Sequence, residues 1–115
     1  MFEVVINEEK KKQLSVSKST CNLNQRQSII IPNLIRKRLN IHSGDEVTVS
    51  LSEKTNGLVI RKSFGDTLEN KMIIGQRGSI RIPSELMRVL RLEVGDIFDI
   101  HSPDNDSFIF LEKIN

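Results

Sequence analysis

Arg77-Gly78-Ser79-Ile80-Arg81-Ile82-Pro83-Ser84-Glu85-Leu86 holds a turn glycine, a short alternating strand, a proline that stops it and a serine placed to cap a helix. On such a strand Ile80 and Ile82 share one face and Arg81 takes the other. Pro83 has no N–H to give to a ladder, so the strand ends there. The phrase also stands 51 residues earlier, as Arg26-Gln27-Ser28-Ile29-Ile30-Ile31-Pro32-Asn33-Leu34-Ile35. Two copies of one supersecondary unit therefore frame the whole chain.

Pairing residues 24–51 with 75–102 gives identical residues at nine positions: Gln25/Gln76, Arg26/Arg77, Ser28/Ser79, Ile29/Ile80, Ile31/Ile82, Pro32/Pro83, Leu39/Leu90, Gly44/Gly95 and Asp45/Asp96. Asn33 and Ser84 are candidate N-caps, able to accept from the first helical N–H groups. The helices that follow are short, with Leu34, Ile35 and Leu39 apolar in the first and Leu86, Met87 and Leu90 in the second. Gly44 and Gly95 can take positive φ in turns, and the aspartates after them suit backbone hydrogen bonding. Residues 46–51 alternate, which predicts a half-buried strand with Val47, Val49 and Leu51 inward. Asn56-Gly57 marks a hairpin, with Leu58 to Lys62 as the return strand. The second unit repeats this with Ile97 to His101, a loop over Pro103 to Asp106, and Phe108 to Lys113. First strands are expected within Gln13 to Leu23 and from Leu68 to Ile74.

The expected order is thus ββαββ twice, over residues 13–63 and 64–115. Residues 1–12 form an N-terminal extension without counterpart, with a candidate strand over 1–6 and a charged connector over 7–12. A unit of about 50 residues is too small to bury both faces of its hairpins. Two units interleaved into one barrel remove the exposed edges. The fold class expected is mainly β with short helices, two repeats closing one barrel.

Tyr and Trp are absent and only five Phe are present, so Ile, Leu and Val must fill the core. The formal charge is +2, but its distribution is uneven. Arg26, Arg36, Lys37 and Arg38 cluster without an acid in one repeat; Arg77, Arg81, Arg88 and Arg91 cluster with Glu85 alone in the other. Basic charge attached twice to the same turn-strand-helix part points to an anionic partner. A solvated face rich in Lys and Arg is the plainer alternative.

Cys21 is the single cysteine, so no intrachain disulfide can form and a reducing cytoplasm is the expected compartment. No apolar run reaches spanning length, so no membrane partner is expected. Enzymatic chemistry has little support. His42 and His101 lie at different points of the repeats, without a second ligand at metal spacing. Cys21 reads as a strand residue rather than a nucleophile, and no phosphate-cradling glycine loop is present. No catalytic residue, metal or cofactor is expected.

The run Gly78-Ser79-Ile80-Arg81-Ile82-Pro83, a short helix, then Leu90-Arg91-Leu92-Glu93-Val94-Gly95-Asp96 resembles the swapped-hairpin AbrB/MazE/SpoVT family, and it occurs in register twice. Members commonly build the barrel from two chains. Here the resemblance implies a barrel closed within one polypeptide, an intrachain pseudo-dimer. It also implies binding of double-stranded DNA by the face built from the first hairpins and helix starts. Arg81 sits where the MazE-type pattern places an arginine and is the candidate for base-edge contact. Arg26, Arg77, Arg36, Lys37 and Arg88 are the candidate phosphate contacts. Ile30 occupies the place of Arg81 in the first repeat and breaks the pattern. Ile97, where the first repeat has Glu46, marks a candidate homodimer contact, against the plainer reading of a singly exposed side chain. The rival function is an antitoxin or other protein-binding module. Family antitoxins usually wrap their toxin with a C-terminal tail; here the sequence given closes at Asn115 after the last strand, leaving residues 1–12 as the candidate segment for a protein partner.

Overall fold

The computed structural model describes residues 19–52, 57–63, 70–103 and 107–114. In the first repeat, β1 (Ser19–Asn22) and β2 (Ser28–Ile30) precede helix α1 (Asn33–Leu39), and β3 (Glu46–Leu51) and β4 (Gly57–Lys62) follow it. The second gives β5 (Asn70–Ile73), β6 (Ser79–Arg81), α2 (Ser84–Val89), β7 (Ile97–His101) and β8 (Phe108–Lys113). The ββαββ order is present twice. The expected elements over 1–12, the start of the first strand before residue 19, the tip with Asn56, Leu68 and the loop over 104–106 lie outside the described residues.

Six strands form an antiparallel sheet in the order β1-β7-β8-β4-β3-β5, and β2 and β6 form a separate ribbon. Among the described residues only the hairpins β3–β4 and β7–β8 pair within a repeat; β1–β7, β3–β5, β4–β8 and β2–β6 all join the two repeats. This is hairpin swapping inside one chain. Each edge strand of the sheet, β1 and β5, leads through a tight reversal into a ribbon strand, so the ribbon and not a continuous ladder covers the open side.

A shift of 51 residues maps the pairing onto itself. Ser19↔Ile100 becomes Asn70↔Val49, and Ser28↔Arg81 becomes Ser79↔Ile30. Two pairs map onto themselves, Ile29↔Ile80 in the ribbon and Val59↔Phe110 between β4 and β8. The pseudo-two-fold axis runs through both.

That axis is also the core. Ile29, Ile31, Ile80 and Ile82 from the ribbon side meet Val47, Val49, Leu58, Ile60, Phe98, Ile109 and Leu111 from the sheet, all essentially without solvent contact. Burial of such side chains contributes roughly 1.5–3 kcal/mol each before the entropic cost of ordering them. Phe110, the counterpart of Val59, fits because Gly57 is bare. A Cβ on Gly57 would stand 2.7 Å from the Phe110 ring and against the Leu111 carbonyl oxygen.

Several local expectations are corrected. The helices are capped by Pro32 and Pro83, not by Asn33 and Ser84, and neither has a side-chain cap. The prolines hold an extended ψ while their carbonyls accept the first helical bonds, at 3.1 and 3.0 Å from Ile35 and Arg36 to Pro32. Leu34 is 77% exposed. A seven-residue helix presents only Ile35 and Leu39, four apart, to the core, and Leu34 falls about 100° away. Met87 and Leu90 are partly buried against the core, and Leu86 fully. Leu51 is exposed at the end of β3, whereas Thr48 is buried, its hydroxyl lacking a hydrogen-bond partner. β3 lies inside the sheet between β4 and β5, so alternation alone does not decide its burial.

The turns follow expectation. Gly44 and Gly95 have φ of +93° and +95°. The Asp45 and Asp96 carboxylates accept from the His42 and Glu93 amides at 2.9 and 2.8 Å. Lys62 and Lys113 approach the same carboxylates at 3.9 and 3.3 Å.

Candidate nucleic-acid interface

In a two-stranded ladder alternate side chains leave on opposite faces. Ile29 and Ile80 point into the core, so Ser28, Ile30, Ser79 and Arg81 make the outer face of the β2–β6 ribbon. Ser28 stands beside Arg81 and Ile30 beside Ser79. Arg81 is exposed, and so is Ile30, at 44%.

The ribbon is clamped at both ends across the repeats. Ile31 N–H donates to the Gly78 carbonyl at 3.0 Å, and Ile82 N–H to the Gln27 carbonyl at 2.8 Å. Each reversal therefore abuts the helix start of the other repeat. The six candidate residues fall into two groups: Arg77 with Arg36 and Lys37 at one end, Arg26 with Arg81 and Arg88 at the other. Arg26, Lys37, Arg77, Arg81 and Arg88 are all exposed, and among the described residues none of them pairs with a carboxylate.

The two groups are built differently. In the first reversal the Asn24 Oδ1 accepts from the amides of Arg26 and Ser28, at 2.9 and 3.0 Å, fixing the turn that carries Arg26. Gly75 replaces Asn24 in the second reversal, which is a 3-10 turn over Gln76–Gly78 with Arg77 at φ +62°. Next come the carbonyls that precede the prolines. Gln27 Nε2 donates to the Ile82 carbonyl at 2.7 Å and to Ser84 Oγ at 3.2 Å. Gly78 replaces Gln27 in the other half, and there Arg36 Nε donates to the Ile31 carbonyl at 3.0 Å. Arg36 is thus half-buried, with part of its guanidinium committed to the fold.

Asn24 and Gln27 are the residues that sequence reasoning missed. Both hold the face in position from the first reversal. The available signal was their replacement by Gly75 and Gly78 in the second copy. Arg38, left out of the candidate set, reaches across to Ser102, donating Nη1 to its carbonyl at 2.9 Å and to its hydroxyl at 3.2 Å.

Other chemistry-bearing side chains have structural surroundings. Burial pushes the Cys21 thiol up to about 12. Cys21 borders an open pocket with Thr20, Asn22, Asn24 and Ile30. His101 is buried, its Nε2 3.0 Å from Glu112 Oε1, and it stacks on Phe110. Among the described residues no group of three His, Cys, Asp or Glu is arranged to hold a metal ion. No helix among them is long and apolar enough to cross a membrane. Exposed apolar side chains also differ between the repeats: Val94, Ile97 and Ile114 are exposed where the first repeat has Ser43, Glu46 and Ser63.

The register, the swapped pairings and the ribbon define a swapped-hairpin protein whose two halves lie in one chain. The chain belongs to the MazE antitoxin family: the model described as "Antidote-toxin recognition MazE, bacterial antitoxin" matches residues 23–63 and 72–115, once in each repeat. At the level of that family it is an antitoxin or a DNA-binding regulator. The solution structure of PHS018 from Pyrococcus horikoshii is similar in fold, with a TM-score of 0.50 over 85% of this chain and 88% of that one, at 23% identity. No curated protein matches the chain.

Proposed function

We propose that this protein is a transcriptional regulator that grips duplex DNA through the outer face of the β2–β6 ribbon and the turns and helices beside it, without enzymatic activity. The supporting observation is Arg81: an exposed guanidinium based on a strand whose neighbours Ile80 and Ile82 are locked in the core, beside exposed cations that pair with no carboxylate among the described residues. A two-stranded ribbon is one of the elements the major groove admits, and an arginine there can fork onto guanine O6 and N7. Arg26, Arg77, Lys37 and Arg88 supply phosphate anchoring, with Arg36 adding the N–H groups that the Ile31 carbonyl does not use. Neutralising about six phosphates makes affinity fall about a thousandfold between about 50 and 200 mM salt. Titrating salt against binding to a genomic duplex tests this; a flat response rules the mechanism out.

A second reading, neutralisation of a partner protein, draws support from the family description and from the exposed apolar side chains Val94, Ile97 and Ile114. Capture of a small toxin that is lost on deleting residues 1–12 would favour it over DNA regulation.

A further inference from the structure

We infer that the protein reads a non-palindromic duplex in a single orientation, one barrel per site, with Arg81 on a guanine at one end of the ribbon and Ile30 on a thymine methyl at the other. The inference rests on the DNA-binding reading above. It starts from a contrast within the fold. The frame is two-fold to the register of single residues, with Ile29↔Ile80 and Val59↔Phe110 on the axis. A two-fold protein frame presents equal halves to DNA, and equal halves select palindromes. On the ribbon side the inward pairs Ile29/Ile80 and Ile31/Ile82 are identical, while the central outward position holds Ile30 in one half and Arg81 in the other.

Within the ribbon, the departure falls on the outer face. Along the outer ribbon, Ser28–Arg81 at one end faces Ile30–Ser79 at the other. One end thus offers a cation and a hydroxyl, the other a hydroxyl and an exposed apolar side chain. In the major groove, guanine is distinguished by paired acceptors and thymine by its methyl group, so these ends match different bases. The reversals differ as well: Asn24 ties down the turn of Arg26, whereas Arg77 takes φ +62° in a turn without such a tie. On the helices, Arg36 corresponds to Met87, so the cations beside the ribbon are unequal too. Phosphate contacts placed unequally about the axis fix which way round the barrel lies.

The test is selection of the full-length protein against a randomised duplex library, followed by comparison of the winning site with the two palindromes made from its halves. The expected site is asymmetric, binds one chain per duplex, and outcompetes both palindromes by about tenfold or more, the discrimination of one good base contact. Ile30→Arg makes the ribbon ends alike and shifts preference to the palindrome built from the guanine-containing half. Arg81→Ile makes them alike in the other sense and removes discrimination at that guanine. Both positions are exposed, so neither change disturbs the core. A palindromic winning site, or palindromes bound equally well, overturns the inference and leaves DNA binding standing. Salt-dependent binding without any enriched sequence overturns it too. Failure to retain any duplex overturns both the DNA reading and this inference.

Discussion

The Arg36 guanidinium lies across the bare face of Gly78, its Nε donating to the Ile31 carbonyl at 3.0 Å where a side chain on residue 78 would stand. In the other half, Gln27 performs the same service for the Ile82 carbonyl from the turn itself. The amides that face these two carbonyls, Gly78 N–H and Gln27 N–H, are spent inside the reversals on the Gly75 and Asn24 carbonyls, so each carbonyl takes a side-chain donor instead. The duplicated chain has found two different ones, and each choice constrains its neighbour: Gly78 leaves room for Arg36.

Gly78→Ala is therefore doubly unfavourable. Gly78 has φ +79°, and the new Cβ would stand 2.6 Å from Arg36 Cδ and 2.8 Å from the Ile31 oxygen. A loss of about 3 kcal/mol is expected, whereas Gly95→Ala, with φ +95° and open space around it, should lose only about 1–2 kcal/mol. Urea midpoints at unchanged slope measure both. Equal losses would mean that the Arg36 contact carries no weight.

Arg36 and Lys37 are adjacent in sequence but differ in what they do. Arg36→Ala should lower stability by about 1–2 kcal/mol by orphaning the Ile31 carbonyl, and weaken DNA binding as well. Lys37→Ala should stay within about 0.5 kcal/mol in stability while weakening binding by a comparable factor and reducing the salt slope by about one. Denaturation and salt-titrated binding of the two variants separate the roles.

Arg81→Ala should lose more affinity for a selected site than for random duplex. A forked contact to guanine is worth about 1–3 kcal/mol of discrimination, while one phosphate contact is lost from both alike. Parallel titrations with the two duplexes give the difference; equal losses would reduce Arg81 to a phosphate ligand.

Cys21 should resist thiol reagents in the folded protein. Its pKa is raised from 9.0 to about 12 by burial, so the fold favours the neutral thiol. The contribution to stability is fully present below about pH 9 and is lost as pH rises towards 12, because only the unfolded chain then gains by ionising. Labelling kinetics at pH 8 should follow global unfolding, and Cys21→Ala should remove this part of the alkaline loss. Rapid labelling under native conditions would show the strand opening locally.

Arg91→Gly should stabilise the protein. Arg91 closes α2 at φ +54°, with its amide on the Arg88 carbonyl at 3.1 Å and the Leu92 amide on the Met87 carbonyl at 2.8 Å. This left-handed closing position favours glycine, and Arg91 is exposed, so a gain of about 0.5–1 kcal/mol is expected. Asn40→Gly, at the matching place in α1, should gain less, since asparagine tolerates that conformation. Thermal midpoints of the two variants check the order.

The repeat at Ser28–Pro32 and Ser79–Pro83 determined the fold from sequence alone. Alternating isoleucines fix which face is buried, proline stops each strand, and a unit of that size has to borrow its twin to close a core. Gly44-Asp45 and Gly95-Asp96 were equally legible, because positive φ and a side-chain acceptor are local requirements. Burial at Leu34, Leu51 and Thr48 was not legible, since it depends on helix length and on which strands lie alongside. The helix caps were misassigned because asparagine and serine are good caps in general, while here proline already holds the entry angle. Sequence also found the exposed arginines and the mismatch of Arg81 with Ile30. Only the tertiary structure set Arg36 against Gly78, tied Gln27 to Ile82, and put Ser28–Arg81 and Ile30–Ser79 at opposite ends of one ribbon, because those contacts join residues about 50 positions apart that meet only when the halves interlock.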